Sequence, residues 1–573
     1  MATVAEVLVE TLVRAGVRRV LGVVGDSLNS ITEVIRARDD IEWITVRHEE
    51  VAAFAAGGEA QITGTLAVCA GSCGPGHVHL VNGLYDCHRS RVPVLAIAAH
   101  IPSAEIGSGY FQETRPELLF RDCSAYCETI SQPSQAPRVI EMAIQAALGR
   151  EGVAVVIVSG DVAAMRAPSD APRVSIRKPH AIVRPSDADL DALVEGLERA
   201  RRVTILAGLG CAGAHDELMA VADRLAAPIV HTLRGKEFVE HDNPFDVGMT
   251  GLLGFASGYQ AMERCDALLM LGTDFPYQQF YPEKAWIAQV DIHAEHLGRR
   301  TRLDLGLVGD VGNTLRALLP RLSKREDREH LDDSLRRYRD TRAQLDRLAS
   351  GDYKRRPIHP QHLTRVVNER ADPDAVFTAD VGTPTIWAAR YLMLGGMRRL
   401  LGSWMHGSMA AAIPLAIGAQ LASPERQVVA LAGDGGLAML LGDLLTIVQH
   451  GLPVKVIVYN NGSFAFVELE MKAAGLLPYG TDLENPDFAA VAEAVGITGI
   501  RVEDPGKVDD AIRAALNHKG PALVDVVVNR QELSLPPTIT RQLAGGFSLY
   551  LVKAVLSGRA DEVIDLARTN VWR

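Results

Sequence analysis

Along this chain, short runs of β-branched and aliphatic residues alternate with longer stretches whose apolar positions recur at helical spacing. Six of the runs stand out: 91–99 (RVPVLAIAA), 153–162 (VAVVIVSGDV), 202–210 (RVTILAGLG), 266–274 (DALLMLGTD), 427–436 (QVVALAGDGG) and 453–461 (PVKVIVYNN). Strands that alternate with helices predict parallel sheets, with ligands at the carboxyl ends of the strands. Two stretches break the pattern and read as linkers: 167–187, with four prolines, and the charged 349–361, with Pro357 and Pro360. The pattern therefore predicts an α/β chain of three doubly wound parallel-sheet domains at 1–178, 186–345 and 361–530, followed by a C-terminal amphipathic tail at 531–573. No short-period repeat is visible, which excludes a solenoid.

The tail's last stretch, 557–573, places Ala560, Val563, Ile564, Leu566, Ala567 and Val571 on one helical face and Asp561, Asp565, Arg568 and Thr569 on the other. Such a helix either docks on its own domain or lies in a membrane interface. The first twenty residues also read as an amphipathic helix, without the basic start and cleavage site of a signal peptide, so a cytoplasmic protein is expected. No apolar run reaches the roughly 18 residues of a spanning helix, so any membrane association is expected to be peripheral.

At 573 residues the chain is too long for one core. The formal net charge of -11, with Lys and Arg scattered, argues against a nucleic-acid partner. Small anionic substrates then need a local positive site. The seven cysteines are odd in number and sit mostly in apolar surroundings, as reduced core thiols do. Cys69/Cys73 and Cys123/Cys127 have helix-compatible spacing, but no nearby His or Cys completes a zinc site.

Two motifs carry chemistry in the third segment. One strand ends at Asp434-Gly435-Gly436 and the next at Asn460-Asn461, and the 27 residues from Asp434 to Asn461 fit a strand, a crossover helix and a parallel neighbour. An Asp carboxylate, an Asn amide oxygen and a backbone carbonyl just beyond form a hard oxygen set suited to Mg2+. The glycines let the backbone approach a diphosphate. Taken separately, each motif also reads as an ordinary turn or loop. In the middle segment, Gly208-Leu209-Gly210-Cys211-Ala212-Gly213 matches G-x-G-x-x-G in a strand-to-helix context, and no acidic residue about twenty positions later supports a nicotinamide.

In this order, GDG and NN resemble the signature of thiamine-diphosphate-dependent enzymes. The likeness covers the whole chain, including VGDSLN (24–29), RHEEVAAFAAG (47–57), HIPSAEIGSGYFQET (100–114), LRGKE (233–237), DVGTPT (380–385), GFSLY (546–550) and the final arginine. Within the family these stretches resemble the FAD-containing, quinone-reducing pyruvate oxidases of bacteria. The resemblance implies a pyrimidine-binding, an FAD-binding and a diphosphate-binding domain, in that order, and a membrane-binding tail. It implies Mg2+ on Asp434, Asn461 and the Ser463 carbonyl, with Gly435 and Gly436 near the diphosphate. His406-Gly407-Ser408 would cradle the aminopyrimidine, and Met409 would be the wedge that bends the cofactor.

In such enzymes a glutamate protonates the ring nitrogen N1', and by resemblance that residue is Glu49, with Glu50 left as a helix N-terminal carboxylate. Residues 71–99 resemble a stretch that contacts a neighbouring subunit's cofactor, so a homo-oligomer, a tetramer, is implied. Phe111 and Gln112 are expected to line the substrate pocket, with Phe466 and Glu470 as the matching wall; Ala465 departs from the glycine these relatives often carry. FAD is expected against Gly208 and Gly210, Gly251-Leu252-Leu253-Gly254 after Thr250, Thr273-Asp274-Phe275-Pro276-Tyr277, Asp291 and Asp310. The implied reaction is oxidation of pyruvate to acetate and CO2 through hydroxyethyl-thiamine diphosphate, with electrons passing through FAD to a membrane quinone at the inner face of the cell membrane. The rivals are a phosphate- and oxygen-dependent pyruvate oxidase and an acetolactate-synthase-like carboligase whose FAD is only structural; a regulatory subunit on the same fold is disfavoured by the joint presence of Glu49, Asp434 and Asn461.

Overall fold

The computed structural model describes residues 2–167, 181–350, 357–533, 541–557 and 559–570. Most of the first expected linker and part of the second (351–356) lie outside the described residues, as do the boundary at 178 and Val571 and Arg573 of the tail.

The first sheet contains β1 (Arg19–Gly22), β2 (Glu42–Thr45), β3 (Ala67–Gly71), β4 (Val94–His100), β5 (Tyr126–Ile130) and β6 (Val153–Ser159), in the order β2-β1-β3-β4-β6-β5. The second contains β7 (Val203–Ala207), β8 (Ile229–His231), β9 (Asp246–Met249), β10 (Ala267–Leu271), β11 (Trp286–Asp291) and β12 (Leu305–Val308), in the order β12-β11-β10-β7-β8-β9. The third contains β13 (Val376–Ala379), β14 (Arg399–Gly402), β15 (Val428–Gly433), β16 (Lys455–Asn460), β17 (Thr498–Val502) and β18 (Ala522–Val527), in the order β14-β13-β15-β16-β18-β17. Every pairing between named strands is parallel.

The first and third sheets thus share one topology, and the second has the dinucleotide-binding order, whose strand sequence reverses between β7 and β10. In each sheet this reversal opens a crevice at the carboxyl ends of the strands, where side chains from two crossovers meet. Central strands such as β4, β6, β7 and β10 are buried throughout, which is why they read as unbroken apolar runs.

Helix α1 (Val4–Arg14) opens with a capping box, Thr3 and Glu6 exchanging hydrogen bonds with each other's backbone. Helices α2 (Glu49–Thr63), α3 (Pro75–His79) and α4 (Val81–Ser90) follow β2 and β3. In the third domain lie α5 (Ala412–Ala422), α6 (Asp434–Met439) and α7 (Ala465–Ala473), and the tail forms α8 (Arg541–Leu556) and α9 (Ala560–Asn570). Both α2 and α5 are built from small apolar residues and buried on nearly every side. They pack backbone to backbone at Gly58 and Gly418, where a Cβ would strike the Leu415 and Ala55 carbonyl oxygens. One apolar core consequently runs from the first sheet into the third.

All seven cysteines are unpaired thiols, six of them buried. The helical spacing of the two cysteine pairs is not used: Cys69 lies on β3 with Cys73 in the following turn, and Cys127 lies on β5 with Cys123 before it. Among the described residues no helix is long and apolar enough to cross a membrane. The tail is docked: Tyr550, Ala554, Leu566 and Thr569 are buried, and α8 packs on α7. The apolar stripe read from the sequence is rotated relative to the docked face, since Ile564 is 44% exposed and Ala560 also faces solvent.

Candidate functional site

Asp434 follows β15 directly and Asn461 follows the paired β16, so the parallel register brings them to one sheet edge. The Asp434 carboxylate is buried. Its Oδ2 accepts the N–H groups of Asn461 (3.1 Å) and Gly462 (2.7 Å) and the amide of Asn485 (2.8 Å), while Oδ1 accepts the Gly435 N–H (3.0 Å). The Asn461 side-chain oxygen accepts the Ser463 N–H at 3.0 Å. The expected metal residues Asp434, Asn461 and Ser463 therefore share one turn. Burial raises the Asp434 pKa, and the N–H donors only partly offset it. A hard cation on these oxygens would relieve that penalty, so the donor set fits Mg2+.

Asp380, which opens the DVGTPT stretch but was given no role by the sequence, ties this turn together. From the end of β13 its Oδ2 accepts the Gly433 N–H (3.0 Å) and its Oδ1 the Ala412 N–H (2.9 Å). Burial pushes its pKa up to about 6, against those two donors. A side chain on Gly436 would strike the Asp380 carboxylate, so the second glycine after Asp434 is fixed by contact. The loop before α5 holds Gly407 (φ 84°) and Ala410 (φ 63°), a left-handed conformation rare outside glycine and frequent at functional sites. His406 and Ser408 both meet Asn82 of α4, at 2.8 and 3.1 Å, and Met409 is half-buried between them and Ala410.

Glu49 is the first residue of α2 and is buried. Its Oε2 lies 2.9 Å from His79 Nδ1, and a Cβ on Gly76 would come within 3.2 Å of its Oε1. His48 caps the helix, accepting the Glu50 N–H at 3.2 Å. Glu50 is more than a helix-terminal charge: it accepts the Asn82 amide at 2.7 Å and so joins the network of Ser408. Gln112 (φ 62°) accepts the Cys73 thiol at 3.2 Å, beside the same Gly74–Gly76 turn.

Phe111 and Gln112 do not line the cavity that Phe466 and Glu470 share, which measures about 550 Å³. Phe111 is 77% exposed on a loop whose tight turn is set by Glu113, which accepts the N–H groups of Gly107, Gly109 and Tyr110.

That cavity spans the switch point of the middle sheet. Gly210 and Gly272 approach there backbone to backbone. Gly251, Leu252 and Leu253, then Thr273 to Tyr277, Asp291 and Asp310 line it, and Gly407, Phe466 and Glu470 close its far end from the third domain. Gly208 and Gly254 lie behind the lining: Gly208 packs on Thr273, and the Gly254 carbonyl accepts from Arg390 at 3.3 Å. Asp291 Oδ1 faces His296 Nδ1 at 3.2 Å, and Asp310 caps the following helix through the Asn313 N–H at 2.8 Å. Two arginines stand among the five carboxylates of this lining, Glu151, Asp274, Asp291, Asp310 and Glu470. Arg234 and Arg91, neither given a role by the sequence, line the cavity, Arg234 donating to the Ser90 carbonyl (2.9 Å) and Arg91 reaching His296 (2.7 Å). Burial, with Arg91 nearby, pushes the Arg234 pKa down to about 10, so it stays charged at neutral pH.

Comparison with known proteins locates three matches in the same order. Residues 2–118 match the thiamine pyrophosphate enzyme N-terminal TPP binding domain, 190–318 the central domain and 380–526 the C-terminal TPP binding domain. The protein YdaP of Bacillus subtilis (strain 168) is 36% identical over 99% of this chain and 98% of its own length. A pyruvate oxidase of Lactiplantibacillus plantarum is 32% identical over 91% of this chain and 88% of its own length. An acetolactate synthase large subunit of Parasynechococcus marenigrum is 30% identical over 93% of this chain and 88% of its own length.

Proposed function

The chain belongs to the thiamine-diphosphate-dependent enzyme family, and on that premise we propose that it oxidises pyruvate to acetate and CO2 and passes the electrons through FAD to a membrane quinone. One observation supports this reading: a single cavity joins the dinucleotide-type switch point of the middle sheet to Gly407, Phe466 and Glu470 of the third domain. A flavin held there has a direct path to the cofactor loop. The cavity fits FAD by its close glycine backbone and by two guanidinium groups that can pair with a diphosphate.

When bound, thiamine diphosphate supplies the electron sink for decarboxylation and FAD accepts the two electrons. The chain's own residues do the rest. Asp434, Asn461 and the Ser463 carbonyl hold Mg2+, the loop from His406 to Met409 orients the pyrimidine, and Glu49 delivers a proton to the ring nitrogen. Phe466 walls the substrate end against water. Phe466 and Glu470 line the cavity while Phe111 and Gln112 do not, which supports a homo-oligomer, a tetramer, in which a second copy completes the pocket. Cytoplasmic residence with peripheral attachment to the inner face of the cell membrane goes with this reading.

The test is product analysis. Purified protein with Mg2+, thiamine diphosphate, FAD and pyruvate should reduce ferricyanide or a quinone and yield acetate. Acetyl phosphate with hydrogen peroxide, or acetolactate without net oxidation, would transfer the assignment to one of the two rivals.

A further inference from the structure

Of the two asparagines that end the third domain's central strand, Asn461 belongs to the metal turn, while Asn460 faces a different set of partners. Asn460 is buried, and its amide donates to Oδ1 of Asp525 on the neighbouring strand β18 at 2.9 Å. Asp525 is buried as well, and its other oxygen is held by the Phe488 N–H (3.1 Å) and by Arg501 of β17 (2.6 Å).

A carboxylate only accepts, so the Asn460 nitrogen has to face Asp525 and its oxygen has to face away. That oxygen accepts the amide of Asn485 at 3.0 Å, and the same Asn485 nitrogen donates to Oδ2 of Asp434 at 2.8 Å. With a carboxylate at each end, the direction of every hydrogen bond in this chain of amides is fixed. Backbone pairing brings Asn485 to its place: the Leu483 N–H donates to the Gly462 carbonyl (2.9 Å) and the Phe464 N–H to the Thr481 carbonyl (2.8 Å), which zips the loop before Asn485 onto the metal turn.

The consequence falls on Asp434. Its Oδ2 accepts three donors, the N–H groups of Asn461 and Gly462 and the Asn485 amide, which is more than its two lone pairs accommodate singly. Its Oδ1 accepts only the Gly435 N–H and keeps room for a cation. Resting on the reading of Asp434 as a Mg2+ ligand, we propose that Asn485, oriented by Asn460 and Asp525, is the positioning residue of that ligand, saturating Oδ2 so that the carboxylate meets a cation through Oδ1 alone. Ligation by a single oxygen suits the compact octahedral shell of Mg2+, whereas Ca2+ readily takes both oxygens of a carboxylate. The chain of amides therefore favours Mg2+ over Ca2+.

The experiment is titration calorimetry on the full-length protein with excess thiamine diphosphate, with Mg2+ alone and Ca2+ alone as titrants, and thermal midpoints recorded beside it. Asn485→Ala should weaken Mg2+ binding roughly 10- to 100-fold, the range typical for partners of metal ligands, and weaken Ca2+ binding less, so that the ratio of the two affinities falls. Asn460→Asp sets a second carboxylate against Asp525 and should weaken Mg2+ binding although Asn485 is intact. Combining it with Asp525→Asn reverses the polarity of that one hydrogen bond and leaves an oxygen for Phe488 and Arg501, so Mg2+ affinity should return most of the way to that of the wild type.

Wild-type Mg2+ affinity in Asn485→Ala would overturn the proposal. So would an equal loss for both ions, because a merely loosened loop does not discriminate between them. Failure of Asp525→Asn to restore Asn460→Asp in a protein of wild-type thermal midpoint would overturn the part given to Asn460 and Asp525. Asn485 lies on a loop outside the apolar clusters, so its variant keeps the test open should changes at the buried pair unfold the domain. Failure of the underlying reading looks different: undiminished Mg2+ affinity in Asp434→Ala would show that Asp434 is not the ligand, whatever the Asn485 variant does.

Discussion

His77 lies two residues before His79, the partner of Glu49. It is fully buried, with Nδ1 2.8 Å from the Ala99 carbonyl and Nε2 2.6 Å from the Thr114 hydroxyl. One tautomer satisfies both, Nδ1–H donating to the carbonyl and Nε2 accepting from the hydroxyl. The ring so clamps the loop that carries Gln112 onto the end of β4. Burial, helped by His100, pushes its pKa down to about 4. A depressed folded pKa means that its stabilisation is present above the unfolded value near 6.5 and is lost as pH falls through about 4. His77→Gln, which can still donate to Ala99, should be less stable than the wild type at pH 7.5. That deficit should shrink by up to about 3 kcal/mol as pH is lowered to 4. Thermal midpoints of the two proteins across this range check it; a constant gap would mean that His77 is not held neutral by the fold.

Backbone contact between α2 and α5 sets the relation of the first and third domains more firmly than any side-chain pair. Because a Cβ at Gly418 would strike the Ala55 carbonyl and press on the Glu59 N–H, and backbone cannot rotate away, the helices would have to part. Gly418→Ala should destabilise by about 1–3 kcal/mol, as overpacking does. Gly149→Ala, a helical position with nothing within 4 Å, should instead gain roughly 0.5–1 kcal/mol. Denaturant midpoints of both variants decide this, and equal effects would show that the contact at Gly418 is slack. Since α2 begins at Glu49 and α5 follows Met409, the first variant should also weaken thiamine diphosphate binding. At this scale the sequence was legible where spacing forces an outcome. Asp434 and Asn461 end two strands one crossover apart and had to meet, and the glycine run after β7 had to open a crevice. The exposure of Phe111 and the partners of His79 and Asp380 were illegible for a common reason: their neighbours come from loops and separate crossovers, and no periodicity encodes where a loop side chain points. Arg91 and Arg234 lie in quoted stretches, but nothing in the sequence signals that the fold brings them, 143 positions apart, to one cavity.

In the whole molecule the tail is coupled to the metal turn by a buried polar chain. The Ser463 hydroxyl donates to Glu468 (2.7 Å), Glu468 pairs with Lys472 (2.7 Å) and Arg530 (2.8 Å), and Lys472 sits 5.4 Å from the centre of the Tyr550 ring of α8. The inner face of the tail is thereby held, yet its outer face is apolar: on α8, Leu549, Val552, Val555 and Leu556 are 48, 56, 53 and 82% exposed. This face is larger than that of α9, where Leu566 is spent on docking and Ile564 is exposed, so α8 is expected to contribute most to the membrane attachment proposed for the enzyme. Arg559, Arg568 and Arg573 are balanced by Asp561, Glu562 and Asp565, so insertion should be driven by apolar burial, at about 25 cal/mol per Å², and weaken little with salt. The double variant Val552→Glu and Leu556→Glu changes only outward side chains. It should keep the wild-type thermal midpoint and ferricyanide reduction while losing most co-sedimentation with phospholipid vesicles and quinone reduction in them. Deleting 557–573 should reduce vesicle binding less than the double variant does, because α8 remains. If that deletion instead abolished binding while the double variant bound normally, the anchor would be α9, and the exposed face of α8 would have to be assigned to contact with another copy of the chain.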